Sequence, residues 1–119
     1  MPSVFLKWGA FLGFLGVALG AFGAHALKKT LSPEMIAIYQ TGVMYHLFHA
    51  VMLCAVGTMA HRLKPPHHRW AGNLFIFGIF LFSGSLYILA ISGIKSIGMI
   101  TPLGGLALLA GWLCVFLGT

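Results

Sequence analysis

"WAGNLFIFGIFLFSGSLYILAI", residues 70–91, carries no charged side chain and no proline. A helix crossing a bilayer needs about 20 predominantly apolar residues, so this run is read as one transmembrane span. Runs of the same character at about 4–26, 41–60 and 101–118 make it one of four. Composition agrees. The chain of 119 residues is 60% hydrophobic and 7% charged, with a mean hydropathy of +0.99. A soluble domain carries about a quarter charged residues, so these residues cannot build a water-facing surface. The expected fold is an all-α membrane protein, a single domain over residues 1–119 whose four transmembrane helices pack as a bundle.

The segments between the runs set their ends. "TLSPEM" at 30–35 offers Ser32 as N-cap, Pro33 at the first helical position and Glu34 at the positive end of the helix dipole. The second helix is thus expected to begin at Pro33 and run for roughly 28 residues to the end of its apolar run at 60, at about 1.5 Å each. "HRLKPPHHRW" at 61–70 is the strongly polar connection, and its proline pair is expected to end the second helix and separate it from the third. "SGIKSIGMI" at 92–100 is short and apolar enough to lie in the interface. "TPLGG" at 101–105 then opens the fourth helix, with Thr101 as N-cap and Pro102 at the first position. At the start, "AHA" at 24–26 imitates a signal-peptide cleavage site, but the run from Val4 to Ala24 has spanning length and is read as a retained helix.

The net charge is +6 and Glu34 is the only acid. The basic residues Lys7, Lys28, Lys29, Arg62, Lys64, Arg69 and Lys95 lie at or between the apolar runs. That is the distribution of topology determinants and anionic-lipid contacts, not of a nucleic-acid patch. Membrane lipids are the expected partners, and nucleic acid is not. An even number of spans puts both termini on one side with Lys7, Arg62, Lys64, Arg69 and the N-terminal amine, against Lys28, Lys29 and Lys95 on the other. The positive-inside bias places both termini in the cytoplasm. Cys54 and Cys114 lie inside apolar runs and read as small hydrophobes.

Glycines follow a helical phase. The first span has Gly9, Gly13, Gly16, Gly20 and Gly23, spaced four and three in alternation. The fourth has Gly104, Ala107, Gly111, Cys114 and Gly118, spaced three and four. Such small-residue seams let backbones approach closely in lipid, where packing drives association. Their partner is either another helix of this chain or a second membrane protein, including another copy.

Taking the bilayer midplane near Leu15, Ala50, Leu81 and Ala110, the rise per residue gives each polar group a depth. His49 lies near the middle, and His46 about 6 Å toward the side opposite the termini. His25 and Gln40 lie about 15 Å out on that side, with Tyr45 between. Ser83, Ser85 and Tyr87 run into the same half, and Thr101 enters from its edge. These nine residues form a one-sided cluster and a candidate pocket for a small solute, ion or lipid headgroup. The nearly empty opposite half speaks against a continuous pore or a proton wire.

Ionisable residues inside a membrane are functional candidates by default. His46 and His49 share a helix face with Gly42 and Leu53. Three readings stay open for them: neutral imidazoles acting as interhelical glue on Ser83, Ser85 or a carbonyl, the floor of a pocket, or ligands to a metal or haem. The last is weakened because position 47 of the HxxH pair is Leu, no second carboxylate exists, and His25 lies about 9 Å higher than His46. No metal site and no cofactor are therefore expected. No acidic pair, Ser–His–Asp set or nucleophile elbow is present, so the chain is read as non-enzymatic. Ser83 and Ser85 in "FSGSLY" are as well explained by packing around Gly84. His61, His67 and His68 beside Arg62 and Arg69 are read as contacts to anionic headgroups.

Three segments together carry a resemblance. "GAFGAHALKK" at 20–29, "YQTGVMYHLFHAV" at 39–51 and "FSGSLYILAISGIKSIGMITPLGG" at 82–105, followed by Gly111 and Trp112, resemble family 423 among the domains of unknown function. That family comprises YgdD-like small inner-membrane proteins and similar eukaryotic transmembrane proteins. The resemblance implies a four-helix protein of the bacterial inner membrane. It implies no activity, substrate or catalytic residue. Two functional expectations follow: a non-enzymatic protein whose polar cluster binds a small ligand, or a structural or accessory protein whose seams serve assembly with itself or a partner.

Overall fold

A computed structural model describes residues 2–119. Helix α1 runs as Pro2–Ala18, widens into a π-helical turn at Leu19–Gly23 and closes as Ala24–Leu27. Helix α2 is Pro33–Gly57, α3 is Pro65–Ser92 and α4 is Thr101–Gly118, with a 3-10 turn at Lys95–Met99 before the last. All four are long and apolar enough to cross a membrane. The protein is an all-α membrane protein of four helices. The N-terminal amine counted in the charge bias belongs to Met1, outside the described residues.

The ends follow local chemistry, with three departures from expectation. Ser32 does cap α2, its Oγ accepting from the Met35 N–H at 3.2 Å, with Pro33 and Glu34 in the first turn. However, α2 ends at Gly57, short of the expected run to 60, and Thr58 closes it. The proline pair does not lie between helices. Pro65 and Pro66 form the first turn of α3, where a missing N–H removes a donor that would have had no intrahelical partner. The third helix therefore starts five residues before its apolar run. Thr101 makes no side-chain cap. At the other end of α3, Gly93 takes φ 72°, the left-handed conformation that closes a helix C-terminus with least strain in glycine.

Consecutive helices are neighbours: α1 packs on α2, α2 on α3 and α3 on α4. The bundle is 47 Å long and 26 by 17 Å across, with α1 and α4 flanking the central pair. The Lys64 N–H donates to the Gly118 carbonyl at 3.0 Å, tying the connection after α2 to the C-terminus at one end of the bundle.

Both glycine seams are spent inside the chain. A Cβ on Gly9 would lie 2.7 Å from the Cys54 backbone nitrogen, one on Gly16 2.6 Å from Leu47, and one on Gly20 2.8 Å from Val43, all on α2. At Gly23 it would fall on the Tyr39 hydroxyl. Gly13 is the loose member, with Ala50 Cβ at 4.0 Å its nearest neighbour. On α4, a Cβ at Gly104 would strike the α3 backbone at Phe82, one at Gly111 the Phe75 ring, and one at Gly118 His67 Cβ. Facing glycines that the seam pattern did not include complete these contacts: Gly57 against Leu6 of α1, Gly72 against Phe5, and Gly78 against Leu108 of α4. Phe5, Leu12, Leu53, Val56, Ala71, Phe75, Ile79 and Leu108 fill a wholly apolar core from the mid-depth of the bundle toward the end that carries the termini.

Candidate functional site

Among the described residues, the buried polar side chains are His46, His49, Ser83 and Ser85, placed by α2 and α3 on the other side of that core. His46 Nε2 donates to the Leu12 carbonyl of α1 at 2.7 Å, and its Nδ1 lies 2.8 Å from the Tyr87 hydroxyl of α3. A carbonyl only accepts, so Nε2 of His46 carries a proton, and with the ring neutral it is Tyr87 that donates to Nδ1. The seam makes the first contact possible. Gly16 lies one turn beyond Leu12, and a Cβ there would come 3.2 Å from His46 Cδ2.

The same device recurs higher on the pair. The Tyr39 hydroxyl donates to the Leu19 carbonyl at 2.6 Å, where α1 widens into its π turn and Gly23 leaves the space. Leu19 also accepts the Ala24 N–H, so the widened turn offers one carbonyl to two donors. Ser83 Oγ donates to the Gly42 carbonyl of α2 at 2.7 Å. Ser85 donates to the Phe82 carbonyl at 2.9 Å, and the Thr101 hydroxyl of α4 bonds to Ser85. Thr101 thus ties α4 to α3, while the cap position is held by Ile100.

His49 is held differently. Its Nδ1 donates to the Tyr45 carbonyl one turn earlier at 2.8 Å, and its Nε2 accepts the Trp112 indole N–H at 3.0 Å. An indole only donates, so Nε2 carries a lone pair and the ring is neutral, with its proton on Nδ1. The two histidines are opposite tautomers. Tyr45 stacks on His49 at 6.1 Å with 8° between the rings, and Phe75 and Trp112 close in at 5.7 and 5.9 Å.

Of the nine candidate residues, the structure brings His46 together with Tyr87, and Ser85 with Thr101, while Ser83 and His49 bond within the same layer. Tyr45 stands at its lip, 38% exposed. His25 and Gln40 are exposed and stand apart from the network. His25 is in the last turn of α1 facing outward, and Gln40 is turned out because its neighbour Tyr39 takes the buried side of α2. Neither serine bonds a histidine or forms a nucleophile–base pair with one; of the partners that the glue reading offered, His46 takes the carbonyl, at Leu12. Sequence reading missed Trp112 and Tyr39 as members. A single indole in an otherwise apolar fourth span was the available signal for the first. Beside His49, between α2 and α4, lies a groove of about 410 Å³ whose rim is the exposed apolar face of Met44, Phe48 and Val51.

The fold and this layer define a small four-helix integral membrane protein whose central polar groups hydrogen-bond one another across helices. The family model described as "Protein of unknown function (DUF423)" matches residues 19–105, and the chain belongs to that family. It is 43% identical over 114 residues to the UPF0382 membrane protein YwdK of Bacillus subtilis, spanning 95% of this chain and 93% of that one. A UPF0382 membrane protein of Staphylococcus saprophyticus is 40% identical over 117 residues, 98% of this chain and 97% of its own. The UPF0382 inner membrane protein YgdD of Escherichia coli is 39% identical over 113 residues, 95% and 86%. No solved structure matches the chain.

Proposed function

We propose that the protein is a non-enzymatic structural or accessory component of a bacterial inner membrane, with both termini cytoplasmic, and that its histidine layer is a clasp. The observation that carries this reading is that both ring nitrogens of His46 and of His49 are already engaged within the chain. A solute, ion or haem bound by either ring would have to displace one of its partners: the Leu12 carbonyl or Tyr87 hydroxyl at His46, the Tyr45 carbonyl or Trp112 indole at His49. The clasp holds the helices in one register, and the accessory role is exerted through the apolar outer faces, against lipid or a membrane-protein partner.

The test is thermal unfolding of the detergent-purified chain and of His46→Leu, with and without a panel of salts, amino acids and sugars. The clasp reading expects a loss of about 1–2 kcal/mol in the variant, since an interhelical hydrogen bond in a membrane contributes about 0.6 to 1.7 kcal/mol and Tyr87 is left without its partner. It expects the loss to be the same whatever solute is present. Concentration-dependent stabilisation of the unsubstituted protein by one of these solutes, abolished in His46→Leu, overturns it.

The groove beside His49 favours a second reading, a lateral site for a small ligand with Tyr45 at its mouth. That reading makes His49, and not His46, the residue whose loss removes ligand-dependent stabilisation.

A further inference from the structure

The bundle end that carries the termini has a second polar locus, separate from the histidine layer. Glu34 is the only acid in the chain and lies in the first turn of α2, at the opposite end. Between the start of α1 and the start of α3 lies a depression of about 420 Å³ whose lining includes Phe5, Ala60, His68, Arg69 and Asn73. Arg69 and Asn73 are one turn apart on α3 and share a face. His68 forms a fixed wall between them and α1, its Nε2 donating to the Val56 carbonyl at 2.9 Å and its ring meeting Phe5 edge-on at 5.3 Å.

Depth and chemistry select the occupant. Trp70, 59% exposed beside Arg69, marks the headgroup level at which indoles collect. A guanidinium at that level presents a planar fork matched to two phosphate oxygens. The Asn73 carboxamide, one turn deeper, reaches the ester oxygens below a phosphate, and Phe5 and Val4 offer apolar surface for the start of a chain. Arg62, Lys64 and Lys7 add positive charge at the same end, with no carboxylate side chain to oppose it. The geometry points to a binding site for the phosphodiester headgroup of an anionic phospholipid, held by Arg69 and Asn73 against the His68–Phe5 wall. A free phosphate shares the headgroup chemistry but leaves the apolar part of the depression unfilled.

The test uses the full chain in nonionic detergent, with thermal unfolding followed on addition of phosphatidylglycerol, phosphatidylcholine or inorganic phosphate. Phosphatidylglycerol is expected to raise Tm by several degrees, and the other two to leave it unmoved. Arg69→Gln and Asn73→Leu are each expected to remove at least half of that rise, with Tm in detergent alone unchanged. Lys95→Gln, at the other end, is expected to retain the rise in full. Native mass spectrometry of retained lipid gives a second readout, in which Arg69→Gln carries less phosphatidylglycerol than the unsubstituted chain. An equal rise with phosphatidylcholine, an equal rise with phosphate (a soluble-anion site), an equal loss in Lys95→Gln (diffuse charge alone), or full retention in Arg69→Gln each overturns the proposal.

Discussion

The His49 imidazole has no unused nitrogen: one donates to its own helix at Tyr45 and the other receives the Trp112 N–H from α4. Trp112→Phe keeps an aromatic ring in place and deletes the donor together with part of the indole surface that packs on His49 and Phe75. It should cost about 0.6–1.7 kcal/mol of stability, read by unfolding in mixed micelles, and stability equal to that of the unsubstituted protein would refute the contact. Nitrogen-15 spectra of histidine-labelled protein should show His49 protonated on Nδ1 and His46 on Nε2, and a doubly protonated His49 would contradict the indole bond. The pair's shared burial on one helix was legible in the sequence, because helical rise and spacing are local properties of α2. Its partners were not. Trp112 lies 63 residues away, and the Leu12 acceptor is a backbone carbonyl, which leaves no trace in residue identity. Nor could spacing tell that Gln40 and His25 are turned outward, because the rotation of a helix about its axis is set by what it packs on.

Among the elements, α1 shows how much a periodic pattern conveys. The phase of Gly9, Gly13, Gly16, Gly20 and Gly23 gave the seam, and it gave every position the same weight. Packing does not. Gly13→Ala adds a methyl 4.0 Å from Ala50 Cβ, an ordinary contact, and gains up to about 1 kcal/mol from reduced backbone freedom. Gly9→Ala puts the same methyl 2.7 Å from the Cys54 backbone nitrogen and 3.0 Å from the Ala50 carbonyl oxygen. The helices must then separate, at a cost of about 1–3 kcal/mol. Measured side by side, the two variants should move Tm in opposite directions or leave Gly13→Ala neutral; equal losses would mean the α1–α2 contact is looser than its geometry. The four spans were legible because hydrocarbon thickness demands their length and polarity. Their ends were less so, since Pro65 and Pro66 break a helix from within yet begin one without cost. The π turn at Leu19–Gly23 has no signature apart from glycine.

Across the whole molecule, polarity is divided along the bundle axis. Apolar side chains from Phe5 to Val56 and Ala71 fill the core of the half nearer the termini, and the hydrogen-bonded layer runs from the middle of the bundle into the other half. A path for a hydrated ion would have to cross the apolar half, so the division supports a clasped structural unit over a conduit. The charges at the two ends then decide which way the unit sits. Lys7, Arg62, Lys64 and Arg69 flank the terminal end and Lys28, Lys29 and Lys95 the other, a bias of a single residue. Such a small margin makes orientation sensitive to a few substitutions. On the orientation proposed above, a green fluorescent protein fused after Thr119 should fluoresce in a bacterial host, and alkaline phosphatase fused there should be silent. Replacing Arg62, Lys64 and Arg69 with Gln while keeping Lys28 and Lys29 reverses the bias, and should transfer a measurable share of molecules to the phosphatase-active form. Phosphatase activity in the unsubstituted fusion would instead put the terminal end outside. The phospholipid site would then face the outer leaflet, away from the anionic cytoplasmic surface that its charge matches.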